Sequence, residues 1–313
     1  MKRFSLFDAP MKVYGIPRFG TEGVLERLPE EIMEQLPQLQ HLGRRCPGGR
    51  MAFKTNAVSF TVEVTLLTLD VDIGMSIFAC QSVHVMVGER SNARHLGVVN
   101  PPDYQTKTFS KTFAKSSDLE EVTLYFPRNE RVKNIVVTVD DDAEVTEPTP
   151  YNYEKPVVFY GSSITEGGCC CNVTNSYNAI LSRWLDFDYY NLGFSGSAKG
   201  ELIMAEYING LDMSVFVYDY DHNAPTVEHL AATHKPFFDA IRNVHPELPI
   251  IMMTRPAEVY DEDMKARRAV VRETYQKALD AGDRNVYFID GETFYGETDR
   301  NLCAVDNCHP NDL

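Results

Sequence analysis

The sequence predicts two domains of different class: an all-β sandwich over residues 1–150, jelly-roll-like, followed by an α/β domain with a parallel sheet over residues 151–313. Three observations carry this expectation. Apolar residues alternate with polar ones up to Asp140, short apolar runs separated by helical spacing follow Pro156, and an acidic, proline-bearing stretch lies between. A length of 313 residues also exceeds the ~150 residues typical of one domain.

In the first half the alternation is clearest at Val58, Phe60, Val62, Val64 and Leu66, at Val83, Val85 and Val87, at Val122, Leu124 and Phe126, and at Ile135, Val137 and Val139. A period of two buries one face of a strand. Turn formers such as Asp72-Ile73-Gly74, Asn100-Pro101-Pro102-Asp103 and Pro127-Arg128-Asn129 separate the runs, which makes several short strands and hence a sandwich. The segment Glu30–Leu39 is expected to form a short helix packed on it. Asp140 to Glu144, then Glu147-Pro148-Thr149-Pro150, neither fill a core nor continue a ladder easily, so the domain junction is placed there.

In the second half the apolar runs are Val157–Tyr160, Tyr189–Leu192, Val215–Tyr218, Ile250–Met253 and Val286–Ile289. Leu230, Phe237 and Ile241, and Val271, Tyr275, Ala278 and Leu279, recur between them at helical spacing. Strand and helix in alternation imply a parallel sheet, because parallel neighbours need a crossover, and such sheets bind ligands at the carboxyl ends of their strands.

Composition narrows the function. A formal net charge of −15 repels phosphate backbones and anionic lipid surfaces, so neither nucleic acid nor membrane is an expected partner. The start, Met1-Lys2-Arg3-Phe4-Ser5-Leu6-Phe7-Asp8-Ala9-Pro10, has Asp8 and Pro10 where a secretory core would need an apolar stretch. No uncharged apolar run approaches the ~20 residues that span a bilayer, which leads to an expected cytoplasmic protein. Seven cysteines, three of them consecutive at Cys169, Cys170 and Cys171, then read as reduced thiols.

The chemistry-bearing residues fall at strand ends. Ser163 in Tyr160-Gly161-Ser162-Ser163-Ile164-Thr165 stands just past the first run of the α/β half, where a nucleophile would stand. On spacing alone, a serine that caps the following helix is the commoner reading. Asp306-Asn307-Cys308-His309 puts a carboxylate where it can fix the imidazole tautomer, leaving the other ring nitrogen to take a serine proton. An isolated pair of this kind is more often a turn with a surface histidine. Acyl transfer also needs donors to a developing oxyanion. Gly196, after the second run, would allow close backbone approach, and Asn223, after the third, offers a side-chain amide.

With these residues in hand, the sequence resembles the SGNH (GDSL-like) hydrolase family in its form with an added β-sandwich. Gly161-Ser162-Ser163-Ile164-Thr165 is similar to the first block, Gly196 to the second-block glycine, Asn223 to the third-block asparagine, and Asp306 with His309 to the fifth block. The resemblance implies a flavodoxin-like fold, a Ser163-His309-Asp306 triad and an oxyanion hole from the Ser163 backbone, Gly196 and Asn223. It implies no metal and no cofactor. The implied reaction is hydrolysis of short-chain acyl esters, acetyl esters above all, on a small molecule or an oligosaccharide. Two departures stand out: Ser162 replaces the usual aspartate of the first block, and Asp221-His222-Asn223-Ala224 replaces Gly-x-Asn-Asp in the third. The family usually continues into a last helix after the fifth block, and this sequence stops at Leu313.

Other features weigh less. Cys169, Cys170, Cys171, Cys303 and Cys308 match no zinc spacing, because adjacent cysteines cannot easily face one tetrahedral ion. His222, beside Asn223, and Arg255, after the fourth run, are candidate substrate contacts; a turn histidine and a surface ion pair are their plainer readings. Within enzymes the rival is a thioesterase or longer-chain lipase. The rival from another class is a catalytically inert carbohydrate-binding protein, which has no chemical need to keep Ser163, Gly196, Asn223, Asp306 and His309 together.

Overall fold

A computed structural model describes residues 1–313. The alternating segments of the first half become two antiparallel sheets. One has four strands in the order Lys2–Ser5, Val132–Val139, Ser59–Leu66 and Thr108–Ala114. The other runs Val145–Thr146, Arg50–Thr55, Glu120–Tyr125, Val83–Val87 and Arg94–Val99, with Lys12–Tyr14 also pairing to Arg50–Thr55. Phe60, Val62, Val64 and Leu66 point inward, and meet Met51, Phe53, Val83, Val85, Val122 and Leu124 of the opposite sheet in a shared core. Period two therefore translates directly into a sandwich.

The acidic stretch is more ordered than its composition suggests. Val145 and Thr146 pair with Thr55 and Lys54, and Ala143 is buried against the sandwich, so two small apolar residues tie the stretch down.

The second half is a five-stranded parallel sheet. Its strands are β1 (Val157–Gly161), β2 (Tyr189–Gly193), β3 (Val215–Asp219), β4 (Ile250–Met253) and β5 (Val286–Ile289). They lie in the order β2-β1-β3-β4-β5, all neighbours parallel. This is the flavodoxin-like order, whose reversal point lies between β1 and β3. Every residue of β1 is buried, as expected of a central strand covered on both faces.

Six helices position the site: α1 (Glu30–Gln35), α2 (Ser163–Glu166), α3 (Tyr177–Leu185), α4 (Leu202–Asn209), α5 (Val227–Val244) and α6 (Glu262–Asp280). Leu230, Phe237 and Ile241 of α5 and Val271 and Ala278 of α6 are buried on one sheet face, as their spacing predicts. The location of α1 corrects the sequence reading. Leu28, Ile32, Met33, Leu39 and Leu42 enter the core of the α/β half with Leu192 and Phe194, instead of packing on the sandwich. Periodicity identifies an apolar face but not the surface that covers it.

The other sheet face carries α3. There Met86 and Tyr125 of the sandwich join Val157, Phe159, Phe187 and Tyr189 in one cluster, so the two halves share buried surface on both sides of the parallel sheet. An apolar groove of about 1200 Å³ remains along this face between α3 and the segment after β5, lined by Val217, Ile251, Met253 and Trp184 among others. Neither Ser163 nor His309 lines it. No helix is long and apolar enough to cross a membrane.

Candidate active site

The reversal point of the sheet brings together the loops after β1, β2 and β3. At the end of β1 two adjacent serines divide two tasks. Ser162 has extended backbone, and its Oγ accepts the N–H of Ile164 at 3.1 Å, so it is the cap of α2. Ser163 opens the helix, and its side chain is free for another partner. Its hydroxyl lies 2.7 Å from His309 Nε2. The capping role that spacing alone favoured for Ser163 is thus filled by its neighbour.

His309 is held by the loop after β5. Val305 N–H donates to His309 O at 3.0 Å, and Asn311 N–H donates to Cys303 O at 3.0 Å, closing the loop at its neck. Asn307 turns the chain at φ 60°, a conformation asparagine tolerates better than most residues. Asp306 Oδ1 accepts the backbone N–H groups of Cys308 and His309 at 3.1 and 2.8 Å, while Oδ2 lies 2.7 Å from His309 Nδ1. A carboxylate only accepts, so Nδ1 carries the proton and Nε2 accepts from Ser163. Partial burial works against ionisation of Asp306, but these hydrogen bonds outweigh it and hold its pKa below the usual range. The Cys308 sulfur raises the His309 pKa most, burial works against this, and Asp306 adds to the rise.

Three N–H groups that the sequence nominates as donors lie in the loops after β1, β2 and β3. The Ser163 N–H is in the first turn of α2, where no intrahelical acceptor exists. Gly196 has φ +64°, and a Cβ there would meet nothing within 4 Å, so the left-handed backbone and not lack of room requires glycine. Asn223 is buried and spends one amide hydrogen on Phe194 O at 3.0 Å, leaving the second to donate.

His222 and Arg255 sit behind the His309 loop. His222 Nδ1 is 3.2 Å from Asp221 Oδ1; burial opposes its protonation, yet Asp221 and Cys308 raise its pKa to about 9. The Arg255 guanidinium donates to Cys308 Sγ at 3.4 Å and Met264 Sδ at 3.1 Å. Both residues line a polar cavity of about 100 Å³ with Asp221, Tyr260 and Arg267, separate from Ser163. Burial raises the Cys308 pKa, but the nearby His222 and His309 bring it down to about 6. All seven cysteines are unpaired, and no group of three or more His, Cys, Asp or Glu is arranged to hold a metal.

Residues 154–313 match the profile of the GDSL-like Lipase/Acylhydrolase family, and residues 8–145 match the N-terminus of esterases of the SGNH-hydrolase type. The chain belongs to the GDSL-like lipase/acylhydrolase family. It is accordingly a carboxylic ester hydrolase. No curated protein matches significantly. Among solved structures, a GDSL-like lipase from Bacteroides ovatus is 23% identical with a TM-score of 0.86, covering 99% of this chain and 93% of that one. A salicylyl-acyltransferase from a tetracycline biosynthetic pathway is 16% identical with a TM-score of 0.79, covering 99% and 92%. An acetyl xylan esterase from the rumen bacterium Butyrivibrio proteoclasticus is 14% identical with a TM-score of 0.59, covering 93% and 90%. At these identities the likeness is one of fold.

The two departures of this GDSL-like acylhydrolase from the family pattern have structural roles. Ser162 caps α2, as described above. A buried carboxylate near that position is instead supplied by Asp219 at the end of β3, which accepts from Thr165 Oγ1 and from Ser162 N–H at 3.3 Å. Burial first of all pushes the Asp219 pKa up to about 7. Asp221, at the third-block glycine, accepts from Arg255 N–H at 3.2 Å and so links the β3 loop to the β4 loop. Sequence reasoning missed Glu166, Arg27 and Arg128, which meet beside the Gly196 turn. Glu166 lies three residues beyond Ser163, but its partners come from the first half and leave no local signal.

Proposed function

We propose that the protein is a serine esterase that hydrolyses short-chain acyl esters, acetyl esters of carbohydrates in particular. The observation that carries this reading is the continuous hydrogen-bonded chain from Ser163 Oγ to His309 Nε2 and from His309 Nδ1 to Asp306 Oδ2, each 2.7 Å. In this reading His309 takes the hydroxyl proton as Ser163 attacks the ester carbonyl. The charge on the carbonyl oxygen is met by the N–H groups of Ser163 and Gly196 and by the free amide hydrogen of Asn223. The tetrahedral intermediate collapses, the alcohol leaves with the proton from His309, and water repeats the sequence on the acyl-enzyme. Asp306 keeps the imidazole in the required tautomer and balances its charge. The carbohydrate part draws support from the fold shared with the acetyl xylan esterase, and from a net charge of −15, which disfavours anionic substrates.

The test is a rate profile over p-nitrophenyl esters from acetyl to decanoyl, together with acetate release from acetylated xylo-oligosaccharides. Acetyl should be the preferred chain, and Ser163→Ala should lower the rate at least ~10³-fold without loss of fold. Preference for long chains or thioesters would remove the short-chain assignment, and activity surviving in Ser163→Ala would remove the mechanism.

A further inference from the structure

Glu166 is fully buried on α2, three residues beyond Ser163. Its Oε2 accepts the N–H of Ser195 at 2.9 Å, immediately before Gly196. The same oxygen accepts from Arg128 Nη2 at 3.2 Å, and Arg128 Nη2 also reaches Ser195 Oγ at 2.7 Å. On the other side, Arg27 donates to the carbonyls of Asn191 and Gly193 at 2.9 and 2.6 Å, and its guanidinium lies 3.7 Å from Glu166 Oε1. Burial disfavours ionisation of Glu166, but Arg128 and Arg27 more than offset it, so the group is a carboxylate.

Arg128 does not belong to the α/β half. It lies in the turn between the strands Glu120–Tyr125 and Val132–Val139, with its N–H fixed to Ala79 O at 3.0 Å and that of Asn129 to Cys80 O at 3.0 Å. The side chain is only 4% exposed, and its other amine donates to Asn129 Oδ1 at 2.8 Å. A buried cation is thus held rigidly by one half of the molecule and directed at the donor turn of the other.

We infer that Arg128 is a positioning residue of the esterase site: through Glu166 and Ser195 it sets the turn that presents the Gly196 N–H to the reacting carbonyl. This rests on the reading of Ser163 and Gly196 proposed above. Ser195 is held at its backbone by Glu166 and at its hydroxyl by Arg128. Glu166 shares a helix with Ser163, so the bridge fixes the donor turn relative to the nucleophile. The Arg128 side chain is almost completely buried, so its loss should misplace a donor that acts on the transition state while leaving ground-state binding intact.

Three variants assayed on p-nitrophenyl acetate beside Ser163→Ala test this. Arg128→Gln leaves Glu166 with Arg27 alone as its close counter-charge and is expected to be less stable, so the decisive variant is Arg128→Gln with Glu166→Gln, which removes the charges of that pair together and leaves Arg27 held by the carbonyls of Leu42, Arg45, Asn191 and Gly193. It should melt cooperatively, with kcat lowered roughly 10- to 100-fold and KM changed less than about threefold. Arg128→Lys, whose ammonium can reach the same two oxygens, should recover most of kcat. The role is overturned if the double variant turns over at the wild-type rate, if KM rises while kcat holds, or if the lysine variant is as slow as the double variant. Activity lost in Ser163→Ala but kept in the double variant overturns Arg128 alone. Activity kept in Ser163→Ala overturns the esterase mechanism on which the inference rests.

Discussion

Asp306 Oδ2 lies 2.7 Å from His309 Nδ1, yet 51% of the Asp306 side chain is exposed to solvent. The tautomer of His309 therefore depends on a carboxylate at the rim of the site, where water weakens its Coulombic effect. Asp306→Asn would present an amide N–H to Nδ1 and favour the wrong tautomer. The expected loss in kcat is about 10²- to 10³-fold, below the ~10⁴ of a fully buried triad aspartate. Steady-state kinetics on p-nitrophenyl acetate decide it: a loss smaller than tenfold would mean that Asp306 does not orient the base.

The acid limb of kcat/KM should have its midpoint above the ~6.5 of an ordinary histidine, because the His309 pKa is raised. The active form is the neutral imidazole, so activity appears as pH rises through that pKa. The Cys308 thiol is the largest contributor to the rise. Cys308→Ala should therefore move the acid limb to lower pH, with activity retained further into the acid range. A pH–rate profile of the two proteins reads this directly, and a limb that stays in place or moves upward contradicts it.

Asn223→Ala removes one of the proposed oxyanion donors and should cost about 10²–10³ in kcat with little change in KM. Gly196→Ala meets no neighbour but forces a Cβ onto a residue at φ +64°, a strain of about 1–2 kcal/mol. That variant should fold, melt slightly earlier and lose rate as its N–H shifts. Wild-type kcat in Asn223→Ala would exclude its amide as a donor, and wild-type kcat in Gly196→Ala would show that the turn holds its N–H in place despite a side chain.

The apolar segment around α1 closes the core of the α/β half. Burying Leu28, Ile32, Met33, Leu39 and Leu42 contributes ~1.5–3 kcal/mol each, a sum comparable with the net stability of a domain. Residues 151–313 alone should lack a cooperative thermal transition, and Met33→Ala in the full chain should cost about 2–5 kcal/mol in urea unfolding. A sharp melt of the isolated segment at the full-chain midpoint would show that the halves are independent.

Much of this molecule is legible in local pattern. Alternation at Phe60, Val62 and Val64 and the apolar runs of β1 to β5 determine a sandwich followed by a parallel sheet, because burying one face or both faces of a strand demands those periods. Ser163, Gly196, Asn223, Asp306 and His309 could be nominated because strand ends in such a sheet converge on one edge. Tertiary structure alone decided which of two adjacent serines caps the helix, since both have the residue type a cap needs and only one has the extended backbone at the helix start. It also decided that α1 completes the far core, and that Arg27 and Arg128 reach across to Glu166. Those pairings join residues 38 or more positions apart, and a contact between distant side chains leaves no period or spacing in either neighbourhood.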